Sequence, residues 1–153
     1  MDYLLDTNIL VTYVRDTAVT HRLENQLNLL NGENNLIISV VSMGEIRSIA
    51  KQNNWGNRKI KKLENIIKDF LITDINVETI IERYAEIDAY SQGKLEGEEV
   101  TFSARNMGKN DLWIAATASM FDLELITTDK DFEHLSPKYL NLKCIDLSKF
   151  EGR

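Results

Sequence analysis

Met1-Asp2-Tyr3-Leu4-Leu5-Asp6-Thr7-Asn8-Ile9-Leu10 opens the chain and decides its fold class. Tyr3 to Leu5 is a short apolar run that reads as a buried strand. Thr7 and Asn8 are residue types that favour turns and helix caps. Ile9, Leu10, Tyr13 and Val14 then follow helical spacing. Asp6 therefore falls just past the carboxyl end of a first strand, at the start of a helix. In open α/β sheets that edge is where ligands bind. Asp6 is either a helix cap or a residue aimed at that edge, and this stretch alone leaves both open.

The same arrangement recurs along the chain. Thr17 to Leu30 carries Leu23, Leu27 and Leu30 at helical spacing and ends at Gly32 and the asparagines beyond it. Leu36 to Val41 is β-branched and short, which predicts a second strand. Ser42 is then placed as a helix cap with Glu45 three residues on, the spacing of a capping box. Glu45 also lies in the first turn after a strand, as Asp6 does. A helix from Met43 to about Gln52 precedes a second from Arg58 to Phe70. Arg58, Lys59, Lys61 and Lys62, with Arg47 and Lys51 before them, form the densest basic patch. It is either a solvated helix face or a surface that tracks phosphates.

Leu71 to Ile75 predicts a weaker third strand. Asn76 is placed as the cap of a helix carrying Val77, Ile80, Ile81, Tyr84 and Ile87. Ser91 to Lys109 shows no period and reads as a long connection. Asn110 is placed as the cap of an apolar helix with Ile114, Ala115, Ala118 and Phe121, and Asp111 falls in its first turn. Leu123 to Thr127 is a fourth strand, followed at once by Asp129 and Asp131. Leu142 to Ile145 is a short fifth.

The whole chain bounds what this can be. Its 153 residues, 43% of them hydrophobic, suit one domain, 1-153, with a real core. No run approaches membrane-spanning length and no signal peptide is legible. One cysteine, Cys144, excludes an internal disulfide and fits a reducing, cytoplasmic compartment. His21 and His134 are too few and too isolated for a zinc site. The net charge of -6 argues against nucleic-acid binding by bulk charge, though not against a local basic surface.

Four acids thus fall at strand exits or the helix starts beyond them: Asp6, Glu45, Asp111 and Asp129. In an alternating strand–helix chain they converge at one edge of a parallel sheet. Carboxylates brought together raise one another's pKa unless a cation neutralises them. Mg²⁺, with Mn²⁺ as a substitute, is the natural partner for all-oxygen ligands that leave room for water and phosphate. Such a site serves displacement at phosphorus.

Leu4-Leu5-Asp6-Thr7-Asn8-Ile9-Leu10, Ser42-Met43-Gly44-Glu45-Ile46, Asn110-Asp111-Leu112-Trp113-Ile114-Ala115-Ala116 and Ile126-Thr127-Thr128-Asp129-Lys130-Asp131-Phe132 resemble the four motifs of PIN-domain nucleases. The likeness is nearest to the VapC-type toxins of toxin–antitoxin pairs and runs from Met1 to about Cys144. It implies an α/β/α sandwich with a five-stranded parallel sheet, order 3-2-1-4-5, and helices on both faces. It implies a divalent-metal-dependent endoribonuclease. Asp6, Glu45, Asp111 and Asp129 match the catalytic, metal-binding acids. Thr7, Asn8, Ser42, Thr127 and Asp131 match supporting positions. The implied partners are an RNA substrate, a cognate antitoxin and a second copy in a homodimer, with no membrane. The Ser91 to Asn110 connection is longer than in many members. Two rival readings are a degenerate PIN domain used for assembly and a haloacid-dehalogenase-type phosphatase. The second needs an aspartate two residues after Asp6, where this chain has Asn8.

Overall fold

The computed structural model describes residues 1–150. Its order is β1 (Asp2–Leu5), α1 (Thr7–Arg15), α2 (Thr17–Leu27), β2 (Asn35–Ser39), α3 (Val40–Gln52), α4 (Asn57–Ile67), β3 (Leu71–Thr73), α5 (Glu78–Ser91), α6 (Lys109–Met120), β4 (Glu124–Thr127), a 3-10 segment (Lys130–Leu135) and β5 (Asn141–Cys144), with a last 3-10 turn at Leu147–Lys149. The five strands form one sheet of order β3-β2-β1-β4-β5, and every pairing is parallel. This is the α/β/α sandwich and strand order expected.

The apolar runs explain why the sheet is buried on both faces. Neighbours in a strand point to opposite faces. Leu4, Ile37 and Leu125 accordingly join one core cluster, with Ile80 and Ile87 of α5 and Leu112 and Ala115 of α6. Leu5, Ile38 and Ile126 join the other, with Ile9 and Tyr13 of α1, Ile46 of α3 and Leu63 of α4. Central strands covered twice read as continuous hydrophobic runs rather than alternating ones. β3 read as weaker because it is the edge: Leu71 is 63% exposed and Ile72 54%.

α6 is the inner helix. Ile114 through Ala118 are consecutively buried, so no face of that turn meets water. Ala115, Ala116 and Ala118 keep it thin enough to lie close to its neighbours. Truncating its larger core side chains, as in Ile114→Ala, should cost about 2–5 kcal/mol. Among the described residues no helix is long and apolar enough to cross a membrane.

Three helix starts differ from the sequence expectation. Ser39, not Ser42, caps α3, its hydroxyl accepting from Val41 N–H at 3.1 Å. That local bond ends the strand early and pulls the β-branched Val40 and Val41 into the helix. α6 begins after Gly108 with no side-chain cap, so Asn110 lies inside it. α5 begins after Val77, while Asp74 rather than Asn76 takes the loop's free amides, from Ile75 at 2.7 Å and Asn76 at 3.1 Å. The second helix stops at Leu27 because Asn28 turns left-handed, φ 48°.

Candidate metal and nucleic-acid site

The carboxyl ends of β1 and β4 meet side by side, because Leu5 pairs with Ile126. Asp6 and Thr127 therefore become neighbours despite 121 residues of separation. The Asp6 carboxylate caps α1, accepting Thr7 N–H at 2.8 Å. Its other oxygen accepts the Thr127 hydroxyl at 2.6 Å. Asp6 is only 4% exposed. Burial drives its pKa up; the bonds from Thr127 and Thr7 oppose this, and Glu45 and Asp129 add to it.

Glu45 arrives from α3. With Ser39 as the cap, Glu45 sits in the second turn and is not a capping-box residue, which corrects that expectation. Its carboxylate instead accepts the Thr7 hydroxyl at 2.9 Å. Thr7 thus touches both acids, its amide on Asp6 and its hydroxyl on Glu45. Ser42, one turn before Glu45 on the same helix, is wholly buried, and its hydroxyl has no partner among the described residues.

Beyond β4, Asp129 caps the 3-10 segment, accepting Asp131 N–H at 2.8 Å, while Asp129 N–H donates to the Thr127 hydroxyl at 3.0 Å. These turns hold Asp129 and Asp131 towards Asp111 in the first turn of α6. One carboxylate oxygen from each of Asp111, Asp129 and Asp131 lies within 4.8 Å of the others. Burial pushes the Asp111 carboxyl up to about 7, and Asp6, Asp129, Glu45 and Asp131 all contribute, in that order. Five acids therefore share one electrostatic neighbourhood. The tightest group contains Asp131, which the motifs mark only as supporting. Asp6 and Glu45 lie outside that group of three, each held by a threonine hydroxyl.

The other candidates are scattered. Asn8 is exposed and bonds through its carbonyl, which accepts the Thr12 hydroxyl at 2.9 Å. Arg58, Lys61 and Lys62 line a groove of about 600 Å³ with Leu29, Asn34 and Phe70. Asn34 precedes β2 and Phe70 precedes β3, so this groove is at the amino edge of the sheet, opposite the acids. Arg47 and Lys51 line a second groove, of about 510 Å³, with Met43 and Trp55. Lys59 lies 5.9 Å from the Trp55 ring centroid. Two exposed cations that no motif marks, Arg105 and Lys109, stand in the chain just before Asp111.

An all-oxygen set of clustered carboxylates, one with a pKa near 7, suits a hard divalent cation. The sequence matches the PIN-domain family over residues 3–137. No curated protein matches it by sequence. A solved structure of VapBC2 from Rickettsia felis, bound to a DNA fragment from their promoter, is similar at TM-score 0.72 and 24% identity, covering 95% of this chain and 100% of that one. VapBC-1 from nontypeable Haemophilus influenzae is similar at 0.66 and 23%, covering 94% and 98%. VapBC-5 from Mycobacterium tuberculosis, a toxin–antitoxin family member, is similar at 0.61 and 20%, covering 94% and 98%. At these identities the structural likeness speaks to fold, and it is the family match over most of its length that places the chain in the PIN-domain family.

Proposed function

We propose that the chain is an Mg²⁺-dependent endoribonuclease, with Mn²⁺ as a working substitute, and the VapC-type toxin of a toxin–antitoxin pair. Family membership supports the coarser statement, a nuclease. The observation that carries the metal dependence is the convergence of Asp111, Asp129 and Asp131 with oxygens within 4.8 Å of one another. Burial and the four surrounding acids make Asp111 costly to keep charged without a cation.

Asp111, Asp129 and Asp131 would hold the metal, and Asp6 and Glu45 would complete its acidic surroundings. When bound, a divalent cation supplies Lewis-acid charge at a phosphoryl oxygen and makes water acidic enough to attack phosphorus at neutral pH. The chain's own residues prepare this. Thr127 and Thr7 fix the rotamers of Asp6 and Glu45, so neither must be ordered when substrate arrives. Asp129 holds the turn that aims Asp131. Asp111, with its pKa near 7, would have to be deprotonated to hold a cation, so metal affinity would rise with pH. The toxin role draws its support from the similar VapBC structures, one of them described as a member of the VapBC family of toxin–antitoxin systems; an antitoxin partner, a homodimer and the cytoplasm as its place belong to the same reading.

The test is cleavage of a mixed RNA pool with Mg²⁺, with Mn²⁺ and with EDTA. The expected result is metal-dependent cutting, lost by roughly a hundredfold or more in Asp111→Asn, the scale of removing a principal electrostatic group. Equal cutting in EDTA, or a fully active Asp111→Asn, would refute the assignment.

A further inference from the structure

The connection from α5 to α6 delivers Asp111, and it is pinned along its length. Glu98 pairs with Lys138 at 3.0 Å. The Phe102 ring packs edge-on against Tyr90 at 5.4 Å and against His134 at 5.0 Å. Arg105 N–H donates to the Ser91 carbonyl at 2.7 Å. The buried Ser91 hydroxyl lies 2.8 Å from His134 Nε2 and 3.4 Å from the sulfur of buried Met107. His134 belongs to the 3-10 segment that carries Asp131. The connection is therefore a wall fixed against the site, not a loose lid.

Charge changes sign along this wall. Its first half holds Glu96, Glu98 and Glu99; its end holds Arg105 and Lys109. Arg105 is tied by its N–H to Ser91, whose hydroxyl meets the His134 ring, and His134 lies three residues beyond Asp131 in the same 3-10 segment. Arg105 is thereby held on the segment that leads into Asp111 and beside the one that carries Asp131. Lys109 occupies the first position of α6, where the helix dipole disfavours a cation. Neither cation has an ion-pair partner among the described residues. A polyanion approaching five carboxylates is repelled unless cations border them. Arg58, Lys61 and Lys62 of α4 line a groove towards the other edge of the sheet instead.

We propose that Arg105 and Lys109 are phosphate contacts that hold a single RNA strand along the α5–α6 wall, with the scissile bond at Asp111. This rests on the ribonuclease reading above. It assigns substrate binding to a surface that no motif marks, and separates it from the basic face of α4.

The experiment is steady-state cleavage of a fluorophore–quencher single-stranded RNA with Mg²⁺ across a KCl series. Arg105→Gln and Lys109→Gln should each raise KM roughly threefold or more with kcat nearly unchanged, and flatten the salt dependence by about 0.7 per charge. Lys109→Arg should restore KM, since a phosphate contact needs only the cation. Thermal melting should match the wild type, because both side chains are exposed. Unchanged KM and salt slope in variants of an RNA-cleaving wild type would overturn this proposal alone. The same loss appearing instead in an Arg58→Gln, Lys61→Gln, Lys62→Gln variant would also overturn it, in favour of an α4 track. A wild type that neither binds nor cuts RNA would overturn the ribonuclease reading and this proposal with it.

Discussion

At the carboxyl edge of the sheet, Asp6, Asp111, Asp129 and Asp131 converge with Glu45 in a partly buried cluster. At the amino edge, Arg58, Lys61 and Lys62 line an open groove. Both regions are dense in one sign of charge, but only the first is strained. Asp6 is buried and Asp111 half-buried beside the other acids, and both have raised pKa values. Arg58 and Lys61 stand in solvent, where like charges are screened and cost little. Charge density along a sequence therefore says less about function than the burial at which the fold places that charge.

The comparison breaks most readily at Thr127. Its hydroxyl donates to Asp6 and accepts from Asp129 N–H, so Thr127→Val keeps shape but strips both bonds. We expect a loss of about 1–3 kcal/mol, the scale of leaving buried polar groups unsatisfied, read by urea unfolding. Asp6 would ionise less readily still, so the deficit should shrink as pH falls. A deficit independent of pH would mean that Asp6 is not strained by its charge.

Asp111→Asn sharpens the comparison through stability alone. The folded pKa, near 7, lies above the unfolded value of 3.8. The folded state thus binds more protons between these values, and stability falls as pH rises through that window. The variant escapes this loss. In EDTA it should melt above the wild type at pH 8 and together with it near pH 4. Mn²⁺ should raise the wild-type Tm by mass action and the variant's much less. A variant that is less stable at every pH would make Asp111 a helix-terminus residue and nothing more.

The smallest effect belongs to the amino edge. Arg58→Gln with Lys61→Gln should change stability by less than about 0.5 kcal/mol in calorimetry, as exposed substitutions do. A larger gain would show that this face is strained as well, and would erase the contrast.

Much of this was legible in the sequence for a local reason. Strands covered on both faces leave apolar runs, and acids that serve a parallel sheet fall directly after them. Leu4-Leu5-Asp6 and Ile126-Thr127-Thr128-Asp129 carry both signals at once. What escaped was set by contacts distant in sequence or by competing local bonds. Ser42 and Glu45 had capping-box spacing, but Ser39 claimed the cap first, and the true partner of Glu45 is Thr7, 38 residues away. The placing of α4 depends on how the chain returns across the sheet. The wall before Asp111 depends on a Ser91–His134 contact spanning 43 residues. No window of sequence contains either.

The parallel pairing of β1 with β4 also sets a schedule. Tyr3 lies beside Glu124, and Asp6 meets Thr127. During synthesis, at about 5–20 residues per second, the first strand waits through the 121 positions that separate Asp6 from Thr127 before its second neighbour is complete. Asp129 and Asp131 emerge later still. A nascent chain of this topology carries Asp6 early, yet has no assembled site until the 3-10 segment with Asp131 has emerged and folded beside it.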